Sequence, residues 1–163
     1  MKIKYDLDVG CKEKPKGKIN VDIVDYSETV KNFVLANGEN LPFESNSFWS
    51  VYSSHAIEHT NNPSKFLSEL IRVSKQYVIL KCPYFYAESL KKLNDVVFRV
   101  SNSAVITGEH KYMFRKKWFL REFKKYNITY IMKLRGTYPF LLFFAIPKEI
   151  VIQIRKNITW IHV

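Results

Sequence analysis

Four clusters of acids, amides and small residues each close a short β-rich run. They are Asp8-Val9-Gly10-Cys11, Asp22-Ile23, Asn37-Gly38-Glu39 and Ser53-Ser54-His55. A carboxylate placed just after a strand, as Asp22 is, suits a diol, because its two oxygens accept two hydroxyls. Gly10 lets a backbone come close to a ligand at a turn. Asn37 offers an amide to the edge of a base. Any one of these residues alone is an ordinary turn former. Four clusters in register on consecutive strands point to a nucleoside-like ligand, since ligands of open parallel sheets bind beyond the carboxyl ends of the strands.

The elements that must bring these ends together follow from the alternation of β-rich and helical runs, which predicts a parallel sheet with crossover helices. Strands are expected at Ile3–Val9, Ile19–Ile23, Phe33–Ala36, Phe48–Ser53, Gln76–Cys82, Ile128–Leu134 and Glu149–Arg155. Helices are expected at Pro63–Ser74, Ala87–Val100 and Arg115–Lys125, with a short one at Pro139–Ala145. The first connection is anomalous. Parallel neighbours need a dozen or more connecting residues, yet Cys11 to Lys18 is short and carries Pro15 and Gly17. One sheet face then lacks a helix of its own, and an uncovered apolar face tends to find a partner. A homodimer is therefore expected.

At 163 residues and 19.3 kDa the chain reads as one domain, residues 1–163. A hydrophobic fraction of 47% argues for a folded globule rather than a disordered chain. The formal charge of +11 favours a polyanionic neighbour such as nucleic acid, an anionic membrane surface or a phosphorylated substrate. Surface lysine serving only solubility is the plainer account of the same charge. Cys11 and Cys82 make neither a metal spacing nor a disulfide framework, so a reducing, cytoplasmic setting is expected. The longest apolar run, Phe140 to Ile146, is too short to span a bilayer.

Four segments together resemble a known family: DVGC, NVDI, ANGENLPFESNSFWSVYSSHAIEH and FLSELIRVSKQYVILKCP. They are similar to the class I S-adenosylmethionine-dependent methyltransferases, in particular a small subgroup whose first crossover is abbreviated to a loop. The resemblance implies an α/β, Rossmann-like, mostly parallel sheet of about seven strands, with S-adenosylmethionine as cofactor. It places Asp8, Gly10 and Cys11 in the turn under the methionine portion, and Asp22 with Ile23 at the ribose diol. Asn37 falls where the family often has an acid facing the adenine amino group, with Gly38 and Glu39 beside it. Ser53, Ser54 and His55 would border the methyl group and the substrate.

Where the family has further turn glycines this chain has Lys12 and Lys14, and its usual first helix is missing. The cofactor carries a carboxylate rather than a pyrophosphate, so it does not need an amide cradle at a helix terminus. A lysine is tolerable there and can pair with that carboxylate. His55 and His59 are the candidate catalytic residues. As a neutral imidazole, His55 would take a proton from a hydroxyl or amine. Glu58 and His59 match a metal-binding pair of related O-methyltransferases, but loop anchoring is the better account of them, and no metal is expected. Methyl transfer to an activated sulfonium relies mostly on positioning, so no dedicated base is required.

The acceptor is not legible in the sequence. Few residues precede the first strand, so the resemblance implies an open site suited to a large or polyanionic acceptor. The basic, aromatic stretch GEHKYMFRKKWFLREFKKY suits nucleic acid, its aromatics stacking on bases. For the aromatics the favoured reading is an amphipathic helix with Phe119 and Phe123 in the core, while the charge cluster fits either. KCPYF is similar to a signature of amino-directed nucleic-acid methyltransferases, but it follows the fifth strand and reads as a turn. Tyr138–Ile146, flanked by Lys133, Arg135 and Lys148, suggests instead a lipid or glycan precursor near a membrane. A non-catalytic binding or dimerisation module is the remaining alternative.

Overall fold

The computed structural model describes residues 5–83, 111–112, 114–140 and 144–157. Strands β1 (Tyr5–Val9), β2 (Gly17–Asp22), β3 (Phe33–Leu35), β4 (Phe48–Ser54) and β5 (Ser74–Pro83) lie parallel to one another. Strands β6 (Ile128–Phe140) and β7 (Phe144–Lys156) pair antiparallel with each other, and β7 pairs antiparallel with β5. The order across the sheet is β3-β2-β1-β4-β5-β7-β6. The mostly parallel sheet of seven strands expected from the sequence is thus present.

Two helices lie on one face. Helix α1 (Pro63–Val73) starts where the Asn62 side chain accepts the Lys65 N–H, with Pro63 at the first helical position. It turns Phe66, Leu67, Leu70 and Ile71 onto the sheet. Helix α2 (Lys116–Phe123) adds Phe119 and Phe123. These side chains share a core with Leu7, Val21, Val51, Val78, Leu80 and Ile152, which alternate along the strands toward the helices. Phe114, Phe119 and Phe123 are therefore core residues, while Lys116, Lys117 and Lys124 remain exposed. The base-stacking role weighed for Phe119 and Phe123 does not hold. On the other face Trp49 is 53% and Ile131 56% exposed. Among the described residues no helix rests there.

The abbreviated first crossover is real, since Leu7 pairs with Ile19 and Val9 with Val21 in parallel register. It holds together without a helix because side-chain oxygens take up the loop's N–H groups. The Lys16 N–H donates to Asp8 Oδ2 at 2.8 Å and the Lys12 N–H to Asp22 Oδ2 at 3.0 Å. The Gly17 N–H donates to Asn20 Oδ1 at 3.1 Å. A Cβ on Gly17 would come within 2.6 Å of the Asp8 nitrogen, so only glycine lets the loop lie this close to β1.

The loop that follows β3 is fastened from α1. Arg72 donates to the Leu41 and Phe43 carbonyls and to Glu69, while Glu69 accepts the Leu41 N–H at 2.8 Å. At the far end, Lys156 Nζ donates to the Ile71 and Ser74 carbonyls and to Asn46 Oδ1. That cation satisfies carbonyls left open at the end of α1.

One expected element is corrected. Pro139–Ala145 is not a short helix, for Pro139 pairs with Ala145 and Phe140 with Phe144 in the β6–β7 ladder. A short apolar run fits either period, and here the long antiparallel pairing decides it. β6 is an edge strand, and β5 ends at Pro83 opposite Glu149, so Pro139 and Pro147 sit where a ladder bond is not needed. The expected helix Ala87–Val100 lies outside the described residues.

Candidate functional site

The strand ends converge. Gly10 takes φ +77° and donates its N–H to the Val21 carbonyl at 2.8 Å, turning the chain tightly off β1. An added Cβ there would lie 2.4 Å from that of Ala56. Beyond this turn opens a cavity of about 430 Å³, lined by Gly10, Lys12, Asp22, Ile23, Asn37, Gly38 and Glu39. His55 and His59 line the same cavity. Eight of the twelve residues singled out from the sequence thus line one space.

Asp22 is buried, and each of its oxygens accepts one backbone N–H. Oδ2 accepts Lys12 at 3.0 Å and Oδ1 accepts Val24 at 3.1 Å. These bonds fix the carboxylate and leave each oxygen a second lone pair for a pair of hydroxyls. The Asn37 carbonyl accepts the Glu39 N–H, so its amide N–H groups point elsewhere and are available to a base edge. Glu39 Oε1 accepts the Asn61 N–H and closes the rim. Ile23, 68% exposed, supplies an apolar surface at the mouth.

A second cavity of about 480 Å³ lies on the other side of the turn, bordered by Asp8, Cys11, Lys14, Lys16, Tyr52 and Ser54. It shares Gly10, Lys12, Tyr26 and His55 with the first. Burial pushes the Asp8 carboxyl up to about 6, against the Lys16 N–H bond that favours its charged form. Burial likewise pushes the Cys11 thiol up to about 12, so it faces the cavity as a neutral group and not as a nucleophile. Ser53 lines neither cavity. It pairs with Val9 on the core face and is fully buried, while Ser54 faces the second cavity.

His55 stands at the junction in a left-handed conformation, φ +55°. Its Nδ1 lies 3.4 Å from Glu58 and its Nε2 3.4 Å from Glu149. Hydrogen bonding with Glu58, reinforced by Glu149, raises the imidazole above its usual value despite partial burial. Glu58 is fully buried and turned toward His55, whereas His59 lines the first cavity. Among the described residues no three His, Cys, Asp or Glu side chains gather as a metal site.

Phe66, Asn61 and Lys111 are among the lining residues that escaped the sequence reading. Phe66 reaches the first cavity from the core face of α1, and Asn61 from the loop before it. Lys111 Nζ donates to Asn61 Oδ1 at 2.7 Å, and the N–H groups of Lys111 and Tyr112 donate to the Glu58 carbonyl. These contacts span about fifty residues of chain and leave no local signal, though Lys111 was visible as one cation of the basic stretch.

With this geometry the comparisons with known proteins agree. The family profile described as "Methyltransferase domain" matches residues 7–80, which span β1 to β5. The fold is that of the class I methyltransferases. The domain is similar to the YcgJ protein from Bacillus subtilis, at 18% identity and TM-score 0.68, covering 97% of this chain and 94% of that one. It is similar also to an S-adenosylmethionine-dependent methyltransferase from Thermotoga maritima, at 16% identity and TM-score 0.67, covering 93% and 81%. Magnesium protoporphyrin IX methyltransferase from Synechocystis, solved with S-adenosylhomocysteine bound, shares 12% identity at TM-score 0.62, covering 94% and 74%. Likenesses this distant establish the fold of the methyltransferase domain. Comparison with curated proteins finds no match. Among the described residues no helix is long and apolar enough to cross a membrane.

Proposed function

We propose that this methyltransferase domain binds S-adenosylmethionine with its adenosyl group in the first cavity and transfers the methyl group to an oxygen or nitrogen acceptor. The observation that carries the reading is the fixed Asp22 carboxylate between Gly10 and Asn37, all lining one cavity. Asp22 accepts the ribose hydroxyls, Asn37 meets the adenine edge, and Ile23 lies against the base. The turn at Gly10 carries the ligand past the backbone, and Asp8 receives the ammonium of its methionine end. Bound there, the cofactor supplies a sulfonium methyl whose departure leaves a neutral thioether.

The domain's own contribution is positioning and exclusion of water. His55 faces both cavities, so it borders the point where acceptor and methyl meet. Its paired carboxylates make it a stronger base than a free imidazole. It must first lose its own proton, so a step that uses it quickens as pH rises. The homodimer through the uncovered face around Trp49 and Ile131 belongs to the same proposal, and sedimentation giving a monomer at every concentration removes it.

Incubation with tritiated S-adenosylmethionine and separated nucleic-acid, lipid, protein and small-molecule fractions tests the activity. Label enters one fraction with the wild-type protein and not with Asp22→Ala. Label in no fraction, despite cofactor binding, favours a non-catalytic binding module.

A further inference from the structure

The loop that replaces the family's first helix puts Lys12, Lys14 and Lys16 on the wall of the second cavity. From this we infer that the second cavity is the acceptor site and that it selects an acceptor bearing an anionic group, phosphate or carboxylate. The inference rests on the proposed function, because the adenosyl end must occupy the first cavity for the methyl group to emerge beside the second.

The wall is built rather than incidental. Lys16 Nζ donates to Tyr52 Oη at 3.0 Å, and the Tyr52 ring stacks on Tyr5 at 4.5 Å with planes 9° apart. Tyr52 is only 3% exposed, so the ammonium of Lys16, itself an exposed residue, rests on a rigid aromatic shelf. Lys81 Nζ lies 5.9 Å from the same ring centroid. Lys12 is kept at φ +47°, a conformation that favours glycine, which argues that its side chain has a use.

The charge balance then points to an anion. Two carboxylates, Asp8 and Glu13, share the cavity with the three lysines. Asp8 already accepts the Lys16 N–H and, in the proposed reading, the cofactor ammonium. One lysine answers the cofactor carboxylate, while the sulfonium adds a further positive charge. Glu13 offsets a second lysine, so one lysine and the sulfonium stay uncompensated until an anionic acceptor enters, and a charge-assisted bond to such a group is about twice as strong as a neutral one.

The test titrates the full-length protein, saturated with S-adenosylhomocysteine, with inorganic phosphate and separately with acetate, reading amide shifts by NMR. Saturable binding that moves loop 10–16 and Ser54 is expected for at least one anion, and the stronger of the two names the acceptor's charged group. Lys14→Ala/Lys16→Gln should weaken it about tenfold, the worth of one charge-assisted bond. Lys116→Ala/Lys117→Ala on α2 should leave it unchanged. Lys14→Ala alone, which spares the Tyr52 contact, guards against misfolding of the double variant. No saturable binding of either anion, or binding indifferent to Lys14 and Lys16, overturns the inference. Failure of S-adenosylhomocysteine to bind the wild type at all is a separate result and overturns the proposed function instead.

Discussion

The Lys12 N–H donates to Asp22 Oδ2 at 3.0 Å, so the carboxylate facing the first cavity also closes the loop beside it. In this short crossover the ligand-facing acid and the loop geometry are one unit. A helix would have satisfied the loop amides internally. Here Asp8, Asp22 and Asn20 do so, which is how a chain with few turn glycines keeps the entry to the site.

Lys12 carries the cost of that arrangement at φ +47°. Replacing it by glycine should relieve left-handed strain of about 1 kcal/mol, partly offset by the entropy of the freer unfolded chain. Thermal unfolding of Lys12→Gly is expected about 1–3 °C above wild type. A fall of several degrees would mean that the side chain contributes more than its backbone loses.

Asp8 gives a pH signature. Its carboxyl is near 3.8 in the unfolded chain and about 6 when folded. A raised carboxyl holds its proton longer in the native state, so stability is lost as pH rises from about 4 through 6. Asp8→Asn removes that loss and should be more stable than wild type at pH 7.5, by about 1–3 kcal/mol, with little difference at pH 4. It should also bind S-adenosylhomocysteine more weakly, since the ammonium loses its partner. Equal stability at both pH values would place Asp8 in a wetter setting than the fold describes.

His55 shifts in the same direction, but as a cation stabilised by its partners. Its imidazole is raised by Glu58 and Glu149, so its contribution is complete below the unfolded value of 6.5 and fades as pH climbs through the folded one. His55→Asn keeps a residue that tolerates the left-handed backbone. The stability gap between wild type and this variant should be wider at pH 6 than at pH 9, and an NMR titration of His55 should give a midpoint above 6.5. A midpoint below it would break the pairing with the two carboxylates.

The sequence shows the five parallel strands well, because a turn-forming acid, amide or glycine punctuates most of their ends. Asp22, Asn37 and Gly10 were legible for the same reason. Ser53 was not, and the cause is physical. The β4–β5 register shifts between Phe48 and Ser50, so Phe48 and Val51, three residues apart, both face the core. Beyond that irregularity the parity of β4 reverses, which sends Ser53 inward and Ser54 outward. The Pro139–Ala145 segment failed differently, because a seven-residue apolar run between prolines does not reveal its period until a partner strand lies beside it. Phe66, Asn61 and Lys111 reach the cavity through contacts that only the folded chain makes.

The central claim is that Asp22 holds an adenosyl group, and calorimetry with S-adenosylhomocysteine tests it most directly. Wild-type protein should bind it at a single site. Asp22→Ala, checked for folding by its circular dichroism, should bind at least about 100-fold more weakly, the worth of two charge-assisted hydrogen bonds. A folded Asp22→Ala protein with wild-type affinity would contradict the account.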